Sequence, residues 1–406
     1  MRIGKFAEIN NVSIDTIRHY MDLGLIVPEK RGGQYFFEER RQNDLEFIFE
    51  LKGRGFSLNE TKMIFLYQTF AKFTDYEKDT YYQSLFIEKY EKIKQEIKSL
   101  IEIKEKLRTK LDDLNAKSES SHIVTGIDLK VLNMLKCIKC KEKNLILQDG
   151  MINKNQIIDG KIVCDCGEEY TIESGILCVG EPFNSTTGLP FESDIPEYIH
   201  ETDRAFLENF YKGAEWSKQK LAPLDLNGKV LLELGTGVGF FLRNIFQELP
   251  KDCLYIAVDR NLGRHRFLKS VLENAGFKRN ILFICADFLD IPLGDHSVDI
   301  VIDQSGTSNY SFEHVEFLLC ELATLFKPES YLLASFFAFK NFSTKSKIEA
   351  KFRDNFIPTK IKENISSLKY FPIDERTSEY MDKGGKFENF FVQGEEIYSY
   401  SFFGKR

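Results

Sequence analysis

A glycine-rich run in the second half of the chain has residues that can hold a ligand containing a nucleoside. An apolar run over residues 230–234 is followed by glycine at every second position, at Gly235, Gly237 and Gly239. Glycine lets a backbone turn tightly and approach a ligand closely. Asp259 ends the next apolar run, 20 residues after Gly239, and its carboxylate suits two ribose hydroxyls. We therefore expect strands that position a glycine-rich loop beside an acidic residue.

Four cysteines have the type and spacing of a metal site. Cys137 and Cys140 form one close pair, and Cys164 and Cys166 follow after an interval of 23 residues. Four thiolates can complete a closed, tetrahedral Zn²⁺ site. The second pair is separated by one residue instead of two, which leaves Cys178 as a possible substitute ligand. The competing interpretation is buried or redox-active thiols.

The start of the chain predicts a pair of short helices. Ser13 is a good N-cap for a helix over residues 14–22, which follows an apolar helical segment that ends near residue 10. This spacing suits entry of the second helix into the DNA major groove, although it is also typical of a small helical subdomain. We predict outward-facing DNA contacts on this helix from Thr16, Arg18, His19 and Tyr20.

A coiled-coil pattern occupies residues 84–117. Apolar residues recur there at alternating spacings of four and three, with Lys104 at one seam position. Sustained over four heptads, this spacing predicts a coiled-coil seam, the alternative being a long helix packed on its own chain. The apolar seam residues are Phe86, Tyr90, Ile93, Ile97, Leu100, Leu107, Leu111 and Leu114.

The composition sets limits on the class of protein. The chain has 406 residues, of which 43% are hydrophobic and 29% charged, so two to four packed domains are expected. No run reaches the roughly 18–20 apolar residues of a membrane span, so we expect a cytoplasmic protein without a membrane partner. The net charge of −7 argues against a polycation that coats nucleic acid. Cys253, Cys285 and Cys320 are expected in the core.

Residues 1–70 resemble the MerR family of bacterial transcription regulators. The resemblance implies a winged helix–turn–helix that binds promoter DNA through Thr16, Arg18 and Tyr20, an antiparallel helix that forms a homodimer, and RNA polymerase as a partner. The wing lacks the family's usual arginine, so Arg31, Arg40 or Arg41 is expected to replace it, with Tyr35 beside it. The matching stretches are residues 3–7, 12–20, 24–28, 44–48 and 55–58.

The rest of the chain carries two further resemblances. The cysteine segment resembles the small zinc ribbon that precedes some methyltransferases. Residues 228–406 resemble class I S-adenosylmethionine (SAM) methyltransferases through the Glu-Leu-Gly-x-Gly-x-Gly form of residues 233–239. A nicotinamide dinucleotide fold, the competing interpretation, would need Gly-x-Gly-x-x-Gly.

The methyltransferase resemblance assigns roles to individual residues. It implies that Gly235 and Gly237 approach the methionine moiety, that Glu233 orders the loop, and that Asp259 and Asp287 take the ribose and the adenine. We add Thr236, Gly239, Phe288 and Asp303 to the cofactor site. No catalytic base is assigned. Five aromatic residues fit either the wall of an apolar substrate pocket or, as is more common in this fold, the core: Tyr211, Trp216, Tyr310, Phe336 and Phe337.

The combined prediction is a multidomain chain. We expect an all-α winged helix–turn–helix at 1–75, a dimerisation coiled-coil helix at 76–118, a small β zinc ribbon at 130–180, and an α/β Rossmann-like class I methyltransferase with a mixed seven-stranded sheet at 195–406. Its predicted function is that of a dimeric MerR-like regulator that binds SAM, methylates a small molecule and couples ligand to promoter. Two alternatives stay open: a small-molecule or ribosomal-RNA methyltransferase with an autoregulatory head, or a catalytically silent sensor.

Overall fold

The computed structural model describes residues 1–70, 75–116, 124–141, 143–181 and 191–406. The chain divides into two compact units, Met1–Ser118 and Glu119–Arg406. No helix within the described residues is long and apolar enough to cross a membrane.

The first unit contains five helices and a two-stranded hairpin among the residues described. Phe6, Ile17, Leu45 and Ile48 are buried in its core. The side chain of Ser13 accepts a hydrogen bond from the Thr16 N–H, which confirms the predicted N-cap. Its elements are α1 (Ile3–Ile9), α2 (Ile14–Asp22), β1 (Glu29–Arg31), β2 (Gln34–Phe36), α3 (Glu39–Gly53), α4 (Leu58–Phe70) and α5 (Asp75–Ala116).

Helix α5 is the predicted long helix. It has 42 residues, which corresponds to about 63 Å at 1.5 Å per residue. Near its start, the Phe86 ring packs edge-on against Phe56 at 5.1 Å, and Lys89 pairs with Glu60 at 2.9 Å. Farther along, its apolar seam is exposed in the single chain, at Tyr90, Ile97, Leu100, Leu107, Leu111 and Leu114.

The second unit begins with short strands around the cysteines and continues into an α/β arrangement. Cys253 and Cys285 are buried and Cys320 is half-buried, as expected for core residues. Its strands are β3 (Ile127–Asp128), β4 (Ile146–Asn153), β5 (Gln156–Val163), β6 (Glu169–Glu173), β7 (Ile176–Cys178), β8 (Val230–Leu234), β9 (Leu254–Asp259), β10 (Asn280–Cys285), β11 (Val298–Gln304), β12 (Phe326–Phe339), β13 (Phe371–Thr377) and β14 (Ile397–Lys405). Its α-helices are α6 (Phe191–Glu201), α7 (Arg204–Leu221), α8 (Phe240–Ile245), α9 (Leu262–Glu273), α10 (Gly306–Tyr310), α11 (Leu318–Glu321) and α12 (Pro358–Ser367).

One mixed sheet runs through the whole second unit. Its order is β13-β14-β12-β11-β8-β9-β10-β7-β6-β5-β3, with β4 paired to β5. Seven of these strands, β8 to β14, lie within the predicted methyltransferase domain. Because β7 pairs parallel to β10, the cysteine segment continues this sheet and is not a separate module.

The central strands are covered on both faces, as a parallel sheet requires. Along β8, Leu232 and Leu234 belong to one core cluster and Leu231 to the other. Since β12, β11, β8, β9, β10 and β7 run parallel, their carboxyl ends meet at one edge. A ligand crevice is expected at that edge of such a sheet.

Candidate functional site

The glycine-rich loop leaves β8 and curls over the end of β9. The backbone N–H groups of Gly235 and Thr236 both donate to the Val258 carbonyl, at 3.0 Å each. Gly235, Gly237 and Gly239 have φ values of +73°, +58° and +79°, a region that L side chains rarely adopt. The alternate glycines therefore serve the backbone shape of this loop.

The three glycines differ in what surrounds them. A Cβ at Gly237 would meet no atom closer than 3.9 Å, and one at Gly235 would lie 3.6 Å from the Phe288 ring. A Cβ at Gly239 would lie 2.3 Å from Leu268 Cδ1. Gly239 therefore permits close packing of the loop on α9. Its expected cofactor contact stays a prediction without support from this geometry.

The Asp259 carboxylate fixes the glycine-rich loop through a hydrogen bond. The residue is 7% exposed. Its Oδ2 accepts from the Gly237 N–H at 2.9 Å, and its Oδ1 accepts from the Asn261 N–H at 2.8 Å. A carboxylate oxygen has two lone pairs, so each oxygen can accept one more hydrogen bond. Asp259 thus combines a structural role with capacity for two ligand hydroxyls.

A buried histidine fixes the neighbouring strand ends, and sequence analysis did not identify it. His265 on α9 is fully buried, and its Nε2 lies 3.1 Å from the Asp259 carbonyl and 3.0 Å from the Ile284 carbonyl. Burial lowers the pKa of His265, while the nearby Asp259 charge opposes that effect. The neutral ring therefore joins the ends of β9 and β10.

Asp287 and Phe288 follow the end of β10. Cys285 is in register with Asp259 on the adjacent parallel strand, so the two acidic residues stand at neighbouring strand ends. Asp287 is exposed, and its Oδ1 accepts from the Leu289 N–H at 3.3 Å. The Phe288 ring lies 6.4 Å from the Tyr310 ring in an edge-on arrangement.

Asp303 does not face a ligand. Its side chain is fully buried and accepts from the Thr307 N–H at 3.0 Å and from the Thr307 hydroxyl. Burial raises the pKa of Asp303 to about 6, and the bonds from Thr307 act in the opposite direction. The carboxylate therefore orders the first turn of α10, which corrects the expectation that it contacts the cofactor.

Glu233 carries an unsatisfied buried carboxyl. It is 2% exposed, and burial raises its pKa to about 7, whereas the neighbouring Tyr255 and Thr236 hydroxyls act to lower it. Among the described residues, Glu233 Oε2 and the two hydroxyls have no hydrogen-bond partner of good geometry. Such groups are costly to leave unpaired, so a ligand donor here would be stabilised.

A pocket opens beside Glu233 and the start of the glycine-rich loop. Of the predicted cofactor residues, Glu233, Gly235 and Thr236 line it, and of the predicted aromatic wall only Phe337 does. Tyr211 is instead exposed and Phe336 is in the core. The other lining residues are Phe206, Asn209, Phe210, Gly213, Ala214, Phe240, Phe241, Gln304, Ser305, Ser335, Met381 and Ser399.

The contribution of α7 to this pocket was missed in the sequence. Phe206, Asn209, Phe210 and Gly213 recur at spacings of three and four residues, which places them on one face of a helix. The same spacing also fits a helix face buried in the core. The pattern alone therefore cannot distinguish a pocket wall from core packing.

The four predicted zinc ligands converge. Their sulfur atoms all lie within 4.8 Å of one another, with Cys137 3.6 Å from Cys166 and Cys140 3.9 Å from Cys164. A tetrahedron with Zn–S bonds of about 2.3 Å has S–S edges of about 3.8 Å. The residues present therefore fit zinc, and Cys178, the possible substitute, lies on β7 beside Cys285.

The surroundings of Cys137 favour the thiolate that zinc needs. Burial acts to raise the pKa of Cys137, but the N–H groups of Cys140 and Lys139 and the Tyr170 hydroxyl lower it to about 6. Metal binding requires deprotonated thiols. At Cys140, by contrast, the contact with the Cys166 thiol and burial raise the pKa.

Helix α2 presents most, but not all, of its predicted DNA contacts. Arg18 and His19 are exposed and Thr16 is partly exposed. Tyr20 is 1% exposed, and its hydroxyl accepts from Lys52 Nζ at 3.3 Å. The prediction that Tyr20 projects outward is wrong, because it lies three residues after Ile17 and shares its buried face.

The predicted wing forms a hairpin. Arg31 on β1 and Tyr35 on β2 are both exposed, and Lys30 is in register with Tyr35. Arg40 is exposed, whereas Arg41 is half-buried and pairs with Asp44 at 2.7 Å. Arg31 pairs with Glu29, but its side chain is 63% exposed. Arg31 and Arg40 are therefore the more accessible replacements for the missing wing arginine.

Comparison with known proteins agrees with these two geometries. Residues 1–68 match the family described as MerR HTH family regulatory protein. Residues 225–389 match the family described as methyltransferase domain. The chain joins a MerR HTH family domain to a methyltransferase domain.

The MerR match has a curated relative. The HTH-type transcriptional regulator HmrR of Rhizobium leguminosarum bv. viciae is 35% identical over 65 residues, which are 16% of this chain and 50% of the relative. The chain thus spans half the length of that relative.

The solved structures with a similar fold include two methyltransferases. A SAM-dependent methyltransferase from Aquifex aeolicus is 18% identical, covers 52% of this chain and 95% of its own, and has a TM-score of 0.33. Geranyl diphosphate C-methyltransferase from Streptomyces coelicolor A3(2) is 12% identical, covers 48% and 76%, and has a TM-score of 0.37.

Proposed function

We propose that the protein is a dimeric MerR-like regulator that binds promoter DNA and whose C-terminal domain binds SAM and methylates a small molecule. The observation that carries the proposal is the glycine-rich loop at residues 235–239, which Asp259 fixes and whose start lines one pocket together with the buried Glu233. The same chain has a MerR HTH family domain. On the basis of this fusion, binding of a ligand to the C-terminal domain would change how the N-terminal domain acts on the promoter.

The cofactor residues have distinct tasks in this proposal. Glu233 would accept from the ammonium group of the methionine moiety, which satisfies its orphaned oxygen. Gly235 and Gly237 let the backbone approach the ligand, Asp259 accepts from the ribose hydroxyls, and Asp287 with Phe288 receives the adenine. When bound, SAM supplies an electrophilic methyl group on a sulfonium; the chain positions the acceptor and excludes water.

The cysteine cluster would hold a structural zinc ion. The ligands would be Cys137, Cys140, Cys164 and Cys166, and four protein ligands would leave no position open for a reacting ligand. Because β7 continues the sheet into β10, zinc would stabilise the edge of the methyltransferase sheet.

The first unit would read DNA as a homodimer. Thr16, Arg18 and His19 of α2 and Arg31 with Tyr35 of the wing are the proposed contacts, in a cytoplasmic protein with RNA polymerase as a partner by resemblance to MerR regulators. The exposed apolar seam of α5 would pair with the antiparallel α5 of a second copy, since such a seam is stabilised by burial.

Calorimetric titration of the full chain with SAM tests the proposal. Gly235→Arg should abolish binding and leave the dimer intact, because the side chain would extend into the space beside Phe288 and Gly306. Gly228→Arg is the matched control: Gly228 also has a positive φ, of +65°, but faces open space. Absence of SAM binding in the natural chain, or equal binding by Gly235→Arg, would contradict the proposal.

A screen for methyl transfer separates the alternatives. Turnover of a small molecule that responds to operator DNA supports the coupled enzyme. Turnover unaffected by DNA favours an enzyme with an autoregulatory head, and SAM binding without product in a broad screen favours a silent sensor.

A further inference from the structure

We propose that the methyl acceptor is an uncharged, mainly apolar molecule that carries an O–H or N–H group. It would bind between α7, α8 and the ends of β11, β12 and β14. This inference rests on the proposed function and narrows its substrate class.

The walls of the pocket are aromatic and held in place. Phe206 and Phe337 line it, with ring centroids 6.1 Å apart, and Phe337 also stacks on Phe390 at 5.1 Å. Two further lining residues, Phe210 and Phe240, pack edge-on with their ring centroids 5.4 Å apart. Rings fixed by other rings present a large apolar contact area to a ligand.

The pocket offers no countercharge for an anion. Glu233 is the only ionisable side chain among the described residues that line it. A phosphate or carboxylate would therefore lose its hydration without gaining a cation, and burial of an unpaired charge is strongly unfavourable. Arg376 comes within 3.7 Å of the position of a Cβ at Gly213 but does not line the pocket.

Apart from Glu233, the polar side chains that line the pocket are neutral, and two of them are amides that can accept hydrogen bonds. Asn209 Nδ2 donates to the Glu379 carbonyl at 3.2 Å, and Gln304 Nε2 donates to Ser217 Oγ at 3.3 Å. Because these nitrogens already donate to protein acceptors, the part that each amide can play toward a ligand is that of an acceptor, through its oxygen. An O–H or N–H group of the substrate would donate a hydrogen bond to one of these oxygens. Three serines, Ser305, Ser335 and Ser399, also line the pocket.

The transfer step balances for such an acceptor. A lone pair on oxygen or nitrogen forms the new bond to the methyl carbon, and the electron pair of the broken S–C bond stays on sulfur, which becomes a neutral thioether. The acceptor's proton leaves to water. An ammonium ion has no lone pair, so an amine would have to react in its uncharged form.

Three naphthalene probes that differ in charge test this inference. Binding of 2-naphthol, 2-naphthoate and 2-naphthyl phosphate to the full chain, saturated with S-adenosylhomocysteine, can be measured by fluorescence titration. We expect 2-naphthol to bind at least tenfold more tightly than either anion. Equal or tighter binding of an anion, or no binding of 2-naphthol, would overturn the inference.

Two glycine variants locate the binding. Gly213→Leu adds a bulky side chain at a position that lines the pocket, so it should weaken 2-naphthol binding at least tenfold, while the Kd for SAM stays within twofold. Gly53→Leu, in a helix of the first unit where a Cβ has open space, should change neither. An unchanged Kd for 2-naphthol in Gly213→Leu would also overturn the inference. If SAM itself fails to bind, the proposed function fails, whereas SAM binding with the wrong probe order refutes only the acceptor class.

Discussion

The backbone N–H of Gly237 donates to Asp259 Oδ2 over 2.9 Å. The acidic residue proposed to hold the ribose therefore also fixes the glycine-rich loop. Its other oxygen accepts from the Asn261 N–H at the start of α9, so one buried carboxylate organises both sides of the proposed cofactor site.

Asp259→Ala should weaken SAM binding at least tenfold and destabilise the second unit. Two backbone N–H groups lose their acceptor, which costs about 1–3 kcal/mol for each group left buried and unsatisfied. Calorimetry measures the binding, and urea denaturation measures the stability. Asp252→Ala, at an exposed aspartate of the same unit, should leave both unchanged. SAM binding that survives in Asp259→Ala would refute the assignment.

Gly239→Ala should destabilise the fold by about 2–4 kcal/mol, because overpacking adds to backbone strain. Its Cβ would lie 2.3 Å from Leu268. Gly276→Ala isolates the backbone contribution, since Gly276 has a φ of +74° with open space around it. We expect the control to lose only about 1 kcal/mol in urea denaturation. Equal losses in the two variants would show that the contact with Leu268 is unimportant.

The raised pKa of Glu233 predicts a pH dependence of stability. Its folded-state pKa is about 7 instead of 4.5, so the native state binds the proton more tightly than the unfolded state. The free energy of unfolding should therefore fall as pH rises from about 4.5 to 7. The size of this fall is on the order of 2–3 kcal/mol.

Glu233→Gln removes that titration. Relative to the natural chain, the variant should gain stability between pH 5 and pH 8 in urea denaturation, while it binds SAM less well. Asp303, whose pKa is raised to about 6, contributes a slope of the same sign to both proteins and cancels in the difference. Glu313→Gln, at an exposed glutamate, should show no such gain. The account would be contradicted if the free energy of unfolding of Glu233→Gln followed the same pH dependence as that of the natural chain.

Removal of one thiolate should release the metal. Cys140→Ser is expected to reduce bound zinc from about one ion per chain to well below that in elemental analysis, because four protein ligands are needed to close the site. A chelator should lower the melting temperature of the natural chain and change that of Cys140→Ser much less. Cys320→Ser, outside the cluster, should keep its zinc. The assignment would be contradicted if the natural chain, purified from cells grown in zinc-containing medium, held no zinc.

A charge in the seam of α5 should separate the dimer. Leu107 is 62% exposed in the single chain, and Leu107→Glu would place a charge within the proposed interface. Light scattering should show a shift from twice the chain mass toward a single chain mass. Glu102→Lys, on the opposite helix face, should remain dimeric. A monomeric natural chain would remove the basis for this prediction.

Local sequence patterns predicted the main helices, strands and loops, but the roles of several residues depend on tertiary contacts. The heptad spacing of α5, the cap at Ser13 and the loop at residues 235–239 are set by nearby sequence, and the structure has each of them. The roles of Tyr20 and Asp303 depend on tertiary contacts. Tyr20 is buried in the helical core, and the Asp303 carboxylate accepts hydrogen bonds from Thr307.

The pocket was the part least accessible from sequence. Phe206 and Phe210 come from a helix that precedes the glycine-rich loop, and their spacing is that of any buried helix face. The pairing of β7 with β10 is likewise a long-range contact. No local signal in the cysteine segment distinguishes a continued sheet from an independent ribbon.

The coupling between the two domains is tested most directly by DNA affinity with and without cofactor. A duplex selected by the full chain from a random library can be titrated by fluorescence anisotropy at zero and at saturating SAM. We predict that SAM changes the Kd for this duplex fivefold or more in the natural chain and has no effect in Gly235→Arg. An unchanged Kd, in a sample where calorimetry shows that SAM is bound, would contradict the account.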